Sequence, residues 1–253
     1  MFVADDFQIE AINDIKSNNN VLVVAPTGSG KTYIAEKSIE YYLNKQQNVF
    51  YTTPIKALSN QKFNDFTKQG INTGLLTGDR TINKDGVLVI ATTEILRNMI
   101  FSNDKKLENT GLIILDEVHY LGDKERGTTW EEILIHANQN IKFLCLSATI
   151  KNKNEFLEWI VSLRGATSLV NSDIRPTPLE ISLVTSSKID KKIKVIKSSK
   201  DNKNKKIFKF DRQAKQYTKP KLTNKLNILN LETCYLLYFS LFHVRELNLV
   251  LDN

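Results

Sequence analysis

The sequence predicts an α/β fold, a doubly wound parallel sheet with helices on both faces. Three observations carry that prediction. Continuous apolar, β-branched runs (VLVVA at 21–25, VLVIA at 87–91, LIIL at 112–115) read as strands buried on both faces of a parallel sheet. Amphipathic stretches of helical length alternate with them, which is the rhythm of βαβ units. A glycine-rich loop, APTGSGKT at 25–32, joins the first run to a helical pattern.

In chain order, a helix is expected over Asp6–Lys16 and a strand over Val21–Ala25. Lys31–Asn44 reads as a helix whose apolar face is Ile34, Ala35, Ile39, Tyr42 and Leu43. A strand at Val49–Thr53 leads to a helix over Ile55–Lys68, and a strand at Val87–Ala91 leads to a helix over Glu94–Phe101. Leu112–Leu115 (strand), Trp130–Ala137 (helix), Lys142–Leu146 (strand) and Lys153–Leu163 (helix) continue the alternation, and strands at Ser168–Val170 and Glu180–Val184 end it. No internal repeat is present. After Val184 the rhythm is lost. The expected organisation is one domain over 1–185, a basic linker over 186–221 and an apolar tail over 222–253, dense in Leu, Tyr and Phe.

Composition narrows the function classes. The chain is 41% hydrophobic and 25% charged, enough to bury a core and stay in solution. Its longest strongly apolar run, Cys234 to Val244, is well short of the ~18 residues a spanning helix needs. The opening MFVADDFQIE has no secretory or transit pattern, and the expected setting is cytoplasmic. Two distant cysteines, Cys145 and Cys234, exclude a disulfide framework and a multi-cysteine zinc site. The net charge of +7 is uneven. Fourteen Lys and Arg against three Asp between Lys188 and Lys221 give a local +11, which leaves the rest of the chain at −4. That stretch reads as a solvated connector or as a phosphate-contacting arm; its few aromatics favour the connector.

The loop at 25–32 has the strand–loop–helix context of a phosphate-binding P-loop. Backbone N–H groups of Ala25, Pro26, Thr27, Gly28, Ser29 and Gly30, proline excepted, form the cradle, with the helix dipole behind them. Gly28 and Gly30 permit positive φ and close approach of a ligand. Lys31 is expected to reach the β- and γ-phosphates and Thr32 to ligate Mg²⁺. Ala25 stands where the general motif has Gly. Further on, LIILDEVH at 112–119 delivers two carboxylates to the C-terminal edge of the sheet, where ligands of such folds bind. Asp116 is expected to hold the Mg²⁺ through water, and Glu117 to orient and deprotonate an attacking water.

With D-E-V-H beside the P-loop, the chain resembles the superfamily-two DExH-box helicases, specifically the Ski-like, exosome-associated group and its HelY-like bacterial relatives. The likeness runs through residues 2–180. F-x-x-D-x-F-Q (Phe2, Asp5, Phe7, Gln8) looks like that group's adenine-reading segment, and FYTTPIKALSNQKF from Phe50 to Phe63 looks like its motif Ia. LLTGD, ATTEILRNM, RGTTWEE, SAT at 147–149 and RPTPL at 175–179 follow in the family's order. The resemblance implies a RecA-like lobe, ATP and Mg²⁺ as cofactors, and a hydrolase that unwinds nucleic acid, RNA in preference to DNA.

It also implies site residues. Phe2 would stack on the base and Gln8 read the adenine edge; by position alone the two read as a core aromatic and a surface amide. Thr53, Pro54, Lys56, Ser59, Thr92 and Arg97 would line a single strand of nucleic acid. Ser147, Ala148 and Thr149 would couple that strand to the nucleotide, and His119 would act in catalysis by coupling the lobes. His136 and His243 have no partners at ligand spacing. The family's second lobe carries Q-x-x-G-R-x-G-R with an arginine finger, and no such pattern follows residue 180. A separate second lobe is therefore an expected partner, and a non-enzymatic ATP- and nucleic-acid-binding module is the alternative function.

Overall fold

Strand β1 (Asn20–Val24) lies inside the core, and all of its residues are buried. Val21 and Val23 turn to one face of the sheet and Leu22 and Val24 to the other, as the twofold period of a strand requires. The structure is a computed structural model. It describes residues 3–118, 127–148, 150 and 152–175, and the backbone of 180–186, 193–197 and 238–239.

The chain divides into two units, Met1–Pro176 and Thr177–Asn253. The first opens with α1 (Asp6–Lys16) and β1, followed by α2 (Lys31–Asn44), β2 (Asn48–Thr53) and α3 (Lys56–Lys68). A hairpin of β3 (Thr73–Thr77) and β4 (Arg80–Ile82) comes next, then β5 (Leu88–Thr92), α4 (Thr93–Phe101), β6 (Thr110–Leu115) and α5 (Gly127–His136). It closes with β7 (Lys142–Ser147), α6 (Lys153–Arg164) and β8 (Thr167–Asn171). Among the described residues these strands form one sheet in the order β4-β3-β5-β2-β6-β7-β1-β8. Every pairing is parallel except β3 with β4. In the second unit, β9 (Glu180–Ser186) pairs antiparallel with β10 (Ile193–Lys197) and with β11 (Tyr238–Phe239).

Two apolar layers cover the sheet. One packs Ala11, Ile15, Ile34, Ile39 and Phe66 of α1, α2 and α3 on Val21, Val23, Tyr51 and Ile114. The other packs Leu96, Met99, Trp130, Ile133 and Ile160 of α4, α5 and α6 on Leu22, Val24, Phe50 and Phe143. This is the doubly wound arrangement the alternation predicts, and α1 and α2 begin and end where expected. The hairpin β3–β4 is absent from the sequence expectation. Its first strand, TGLLT, is short, polar at both ends and interrupted by Gly74, yet all five residues are buried beside β5. The stretch read as a connector carries β10, and the expected strand over Glu180–Val184 belongs to the second unit's sheet.

The edge of the sheet opposite the loop site is tied by buried polar groups. Asn20 Nδ2 donates to the carbonyls of Arg164 and Ala166, and its Oδ1 accepts from Phe143 N–H. The Arg164 guanidinium donates to Ala137 O, Asn138 O and Ile141 O at 2.7–2.8 Å, gathering the loop between α5 and β7. No helix among the described residues is long and apolar enough to cross a membrane.

Candidate functional site

The parallel strands all end on one edge, and their order decides what meets there. β7 lies between β6 and β1, so Ser147 at its end stands between the acidic pair after β6 and the glycine loop after β1. The next strands outward from β6 are β2 and β5, which end in Thr53 and Thr92. One edge therefore carries both groups of candidate residues, side by side.

The loop begins at Ala25, and the strand before it ends one residue earlier than expected: β1 stops at Val24, and Ala25 N–H donates to Ser147 O at 3.1 Å. Gly28 and Gly30 take φ of 84° and 85°, left-handed values that L side chains avoid. A Cβ on Gly30 would also collide with Gln8 Nε2. Lys31, the first residue of α2, bends back and donates to Ala25 O at 2.8 Å and Pro26 O at 3.1 Å. Burial lowers its pKa, opposed by Glu117 and Asp116, while Arg175 adds to the lowering. Arg175 itself reaches the loop, donating to Thr27 O at 3.3 Å. Thr27, Gly28 and Thr32 are exposed, whereas Ser29 is buried. The Ser29 and Ser147 hydroxyl oxygens are both buried without a hydrogen-bond partner. Two unpartnered hydroxyls and a glycine cradle at a helix N-terminus fit a phosphorylated ligand.

Gln8 is buried, where its position alone suggests a surface amide. Its Nε2 donates to Ser29 O (3.2 Å) and Gly30 O (3.3 Å), and its Oε1 accepts from Asp5 N–H (3.0 Å). The amide thus ties the start of α1 to the glycine loop, and adenine reading would require it to exchange some of these bonds. Phe2 lies outside the described residues, as do His119 and Thr149. Ala148 follows β7 and is half-buried.

Asp116 follows β6, its N–H donating to Thr52 O at 3.0 Å. Its Oδ1 accepts from Glu117 N–H at 2.9 Å and its Oδ2 from the Tyr51 hydroxyl at 2.6 Å. Glu117 has φ of 59°, a left-handed value rare for a non-glycine residue and of a kind that gathers at functional sites. Thr32 Oγ1, the other expected metal ligand, accepts from Lys62 Nζ at 3.1 Å.

On the second half of the edge, Thr53 and Ser59 are fully buried and their hydroxyls bond each other at 2.7 Å. They join the end of β2 to α3 instead of facing solvent. Pro54 and Thr92 are also buried, so the surface here is offered by Lys56 and Arg97. Lys56 pairs with Asp79 at 3.0 Å, and that hydrogen bond, followed by one from Thr77, lowers the pKa of Asp79. Arg97 pairs with Glu132 at 3.4 Å and lies over the Phe101 ring. Both ion pairs are partly or largely exposed, so neither holds its cation strongly against a phosphate. Tyr51, Lys62, Arg175 and Glu132 were not among the expected site residues. The sequence held no signal for Tyr51, because its place comes from the β2–β6 register, where it pairs with Ile114, two residues before Asp116.

A glycine loop, a lysine, a strand-end Asp-Glu pair and a serine on the strand between them, on one edge of a doubly wound sheet, define a P-loop nucleotide-binding lobe. Residues 5–156 match the family model described as DEAD/DEAH box helicase, and the chain belongs to that family. Among curated relatives it is 50% identical over 186 residues to an Arabidopsis thaliana protein named DExH-box ATP-dependent RNA helicase DExH15, chloroplastic, covering 70% of this chain and 16% of that one. It is 43% identical over 180 residues to the Homo sapiens exosome RNA helicase MTR4, covering 71% and 17%. To the probable helicase HelY of Mycobacterium tuberculosis (strain H37Rv) it is 42% identical over 180 residues, covering 70% and 20%. The chain thus spans about a fifth or less of the length of these relatives. Among solved structures, Mycobacterium smegmatis helicase Lhr bound to ssDNA and AMP-PNP matches with a TM-score of 0.57 at 25% identity, over 69% of this chain and 26% of that one. The resemblance read from the motifs is borne out, and so is the RecA-like lobe architecture.

Proposed function

We propose that this chain is the ATP-binding lobe of an ATP-dependent helicase that acts on single-stranded nucleic acid, with RNA as the preferred substrate. The observation that supports it most is the strand order β1, β7, β6, β2, β5, which aligns Lys31, Ser147, Asp116–Glu117, Thr53 and Thr92 along one edge. The names of the DExH15 and MTR4 relatives speak for RNA. The first unit, Met1–Pro176, acts as the lobe, the stretch 186–221 as a basic connector and 222–253 as the start of a second lobe.

In this reading the loop amides and Lys31 would hold the phosphates and Thr32 and Asp116 would hold Mg²⁺, which when bound would supply charge neutralisation at the phosphates. Glu117 orients the attacking water and accepts its proton. Lys31 must first leave the carbonyls of Ala25 and Pro26, an exchange of hydrogen bonds at little net cost. Ser147 and its neighbours, at the end of the strand between the glycine loop and the acidic pair, link nucleotide occupancy to the bound strand.

The nucleic-acid half is tested by fluorescence anisotropy with a labelled single-stranded RNA at several salt concentrations. Weak, salt-sensitive binding is expected, and the log–log slope rises by ~0.7 for each phosphate neutralised. A variant lacking residues 198–221, which spares β10, should keep a small slope set by Lys56, Arg97 and their neighbours. If this deletion removes most of the affinity, the segment is the principal nucleic-acid contact and the connector reading fails.

A further inference from the structure

Asp116 is the one carboxylate to which the reading above gives the metal, and both of its oxygens have partners. Oδ1 is fixed by the Glu117 N–H, a bond every residue at that position supplies. Oδ2 is fixed by the Tyr51 hydroxyl at 2.6 Å, which depends on a particular side chain. Tyr51 is fully buried among the apolar residues under α1, α2 and α3, with Phe66 of α3 at a ring-centroid distance of 6.0 Å. A buried phenol in such a layer is expensive unless its hydroxyl is bonded, and here the acceptor is a carboxylate, which shortens and strengthens the bond.

The same ring lies under a second contact with the site. Lys62 Nζ stands 5.6 Å from the Tyr51 ring centroid and donates to Thr32 Oγ1, the other expected metal ligand. Tyr51 precedes Thr53 by two residues on β2, so the two share a face of the strand, and Thr53 is bonded to Ser59 of α3.

We propose that Tyr51 is a positioning residue for the metal end of the nucleotide site: its hydroxyl locks the Asp116 carboxylate in one orientation. With two donors the carboxylate cannot turn about its Cβ–Cγ bond, and its remaining lone pairs keep one direction toward a hydrated cation. Tyr51 acts through Asp116 and not on the nucleotide or the metal itself. The inference rests on the ATP-binding reading and deepens it.

The test measures binding, not turnover. The full chain is titrated with N-methylanthraniloyl-ADP, once with Mg²⁺ and once with EDTA. The ratio of the two affinities is the metal-linked gain. In Tyr51→Phe the ring, its burial and its contact with Phe66 remain. The expected result is loss of about tenfold of the gain, the order of the worth of a hydrogen bond to a charged group, with the EDTA affinity at the wild-type value and the chain still folded. A Tyr51→Phe protein that keeps the whole gain overturns the proposal. Binding by the wild type with no gain from Mg²⁺ also overturns it, yet leaves nucleotide binding standing. Absence of any binding by the wild type removes the ATP reading, and the inference with it. Should Tyr51→Phe fold poorly, wild-type and Asp116→Asn chains labelled with ¹³C at tyrosine Cζ report on the same bond. One tyrosine resonance should shift with the substitution, and the same one should respond to Mg-ADP in the wild type. If no resonance responds to both, the proposal is wrong.

Discussion

Steady-state phosphate release by this chain alone should be feeble, ~10³–10⁵ below that of a helicase whose two lobes close around the nucleotide, because that is what an arginine finger contributes in related enzymes. In the proposed reading Glu117 activates the water; it has a left-handed φ directly after Asp116, and Lys31 starts the helix behind the loop. No Q-x-x-G-R-x-G-R run follows residue 180. Among the described residues the cations at the loop are Lys31, Lys62 and Arg175, with Lys62 engaged with Thr32 Oγ1 and Arg175 with Thr27 O. A phosphate-release assay on the wild type, with and without single-stranded RNA, should show a trickle that Glu117→Gln abolishes. Turnover at the ~1–100 s⁻¹ of complete phosphoryl-transfer enzymes, lost in Glu117→Gln, would show that one lobe suffices.

Replacing Arg164 by Ala should lower the stability of the first unit by about 3 kcal/mol without altering the nucleotide edge, an effect of the size that follows loss of a buried polar network. Arg164 is buried at the end of α6, and its guanidinium satisfies the carbonyls of Ala137, Asn138 and Ile141. It also lies over the Phe143 ring at 4.8 Å. Truncation leaves three acceptors and a cavity beneath β7. Urea denaturation followed by tryptophan fluorescence gives the difference directly, since Trp130 and Trp159 belong to the apolar layer on that face. A change under about 0.5 kcal/mol, the range of an ordinary surface substitution, would mean that solvent replaces the guanidinium freely.

The sequence made the parallel core legible because strands buried on both faces leave continuous apolar runs. VLVV, VFYTT and LIIL announce β1, β2 and β6, and the helices between them carry clear faces. The P-loop and the acidic pair were legible because their chemistry requires particular residues at particular steps. What remained hidden is what tertiary packing decides. TGLLT forms the buried strand β3 because β5 offers it an edge, not because its own pattern is strong. Gln8 and Ser59 read as available polar groups, yet packing buries both and gives their polar atoms structural partners. Tyr51 read as one more strand aromatic. Its meaning depends on β2 lying beside β6, a neighbour relation between residues 65 positions apart.

Calorimetry of Mg-ADP binding, on the wild-type chain and on Lys31→Ala, reaches the central claim most directly. The account predicts saturable, one-site binding by the wild type. It predicts affinity lower by roughly 100-fold in Lys31→Ala, because the lost contacts are charge-assisted bonds to phosphate. Mg-GDP should bind more weakly than Mg-ADP. Unchanged Mg-ADP binding in Lys31→Ala, or Mg-GDP bound as tightly as Mg-ADP, would contradict the assignment of this edge as an ATP site.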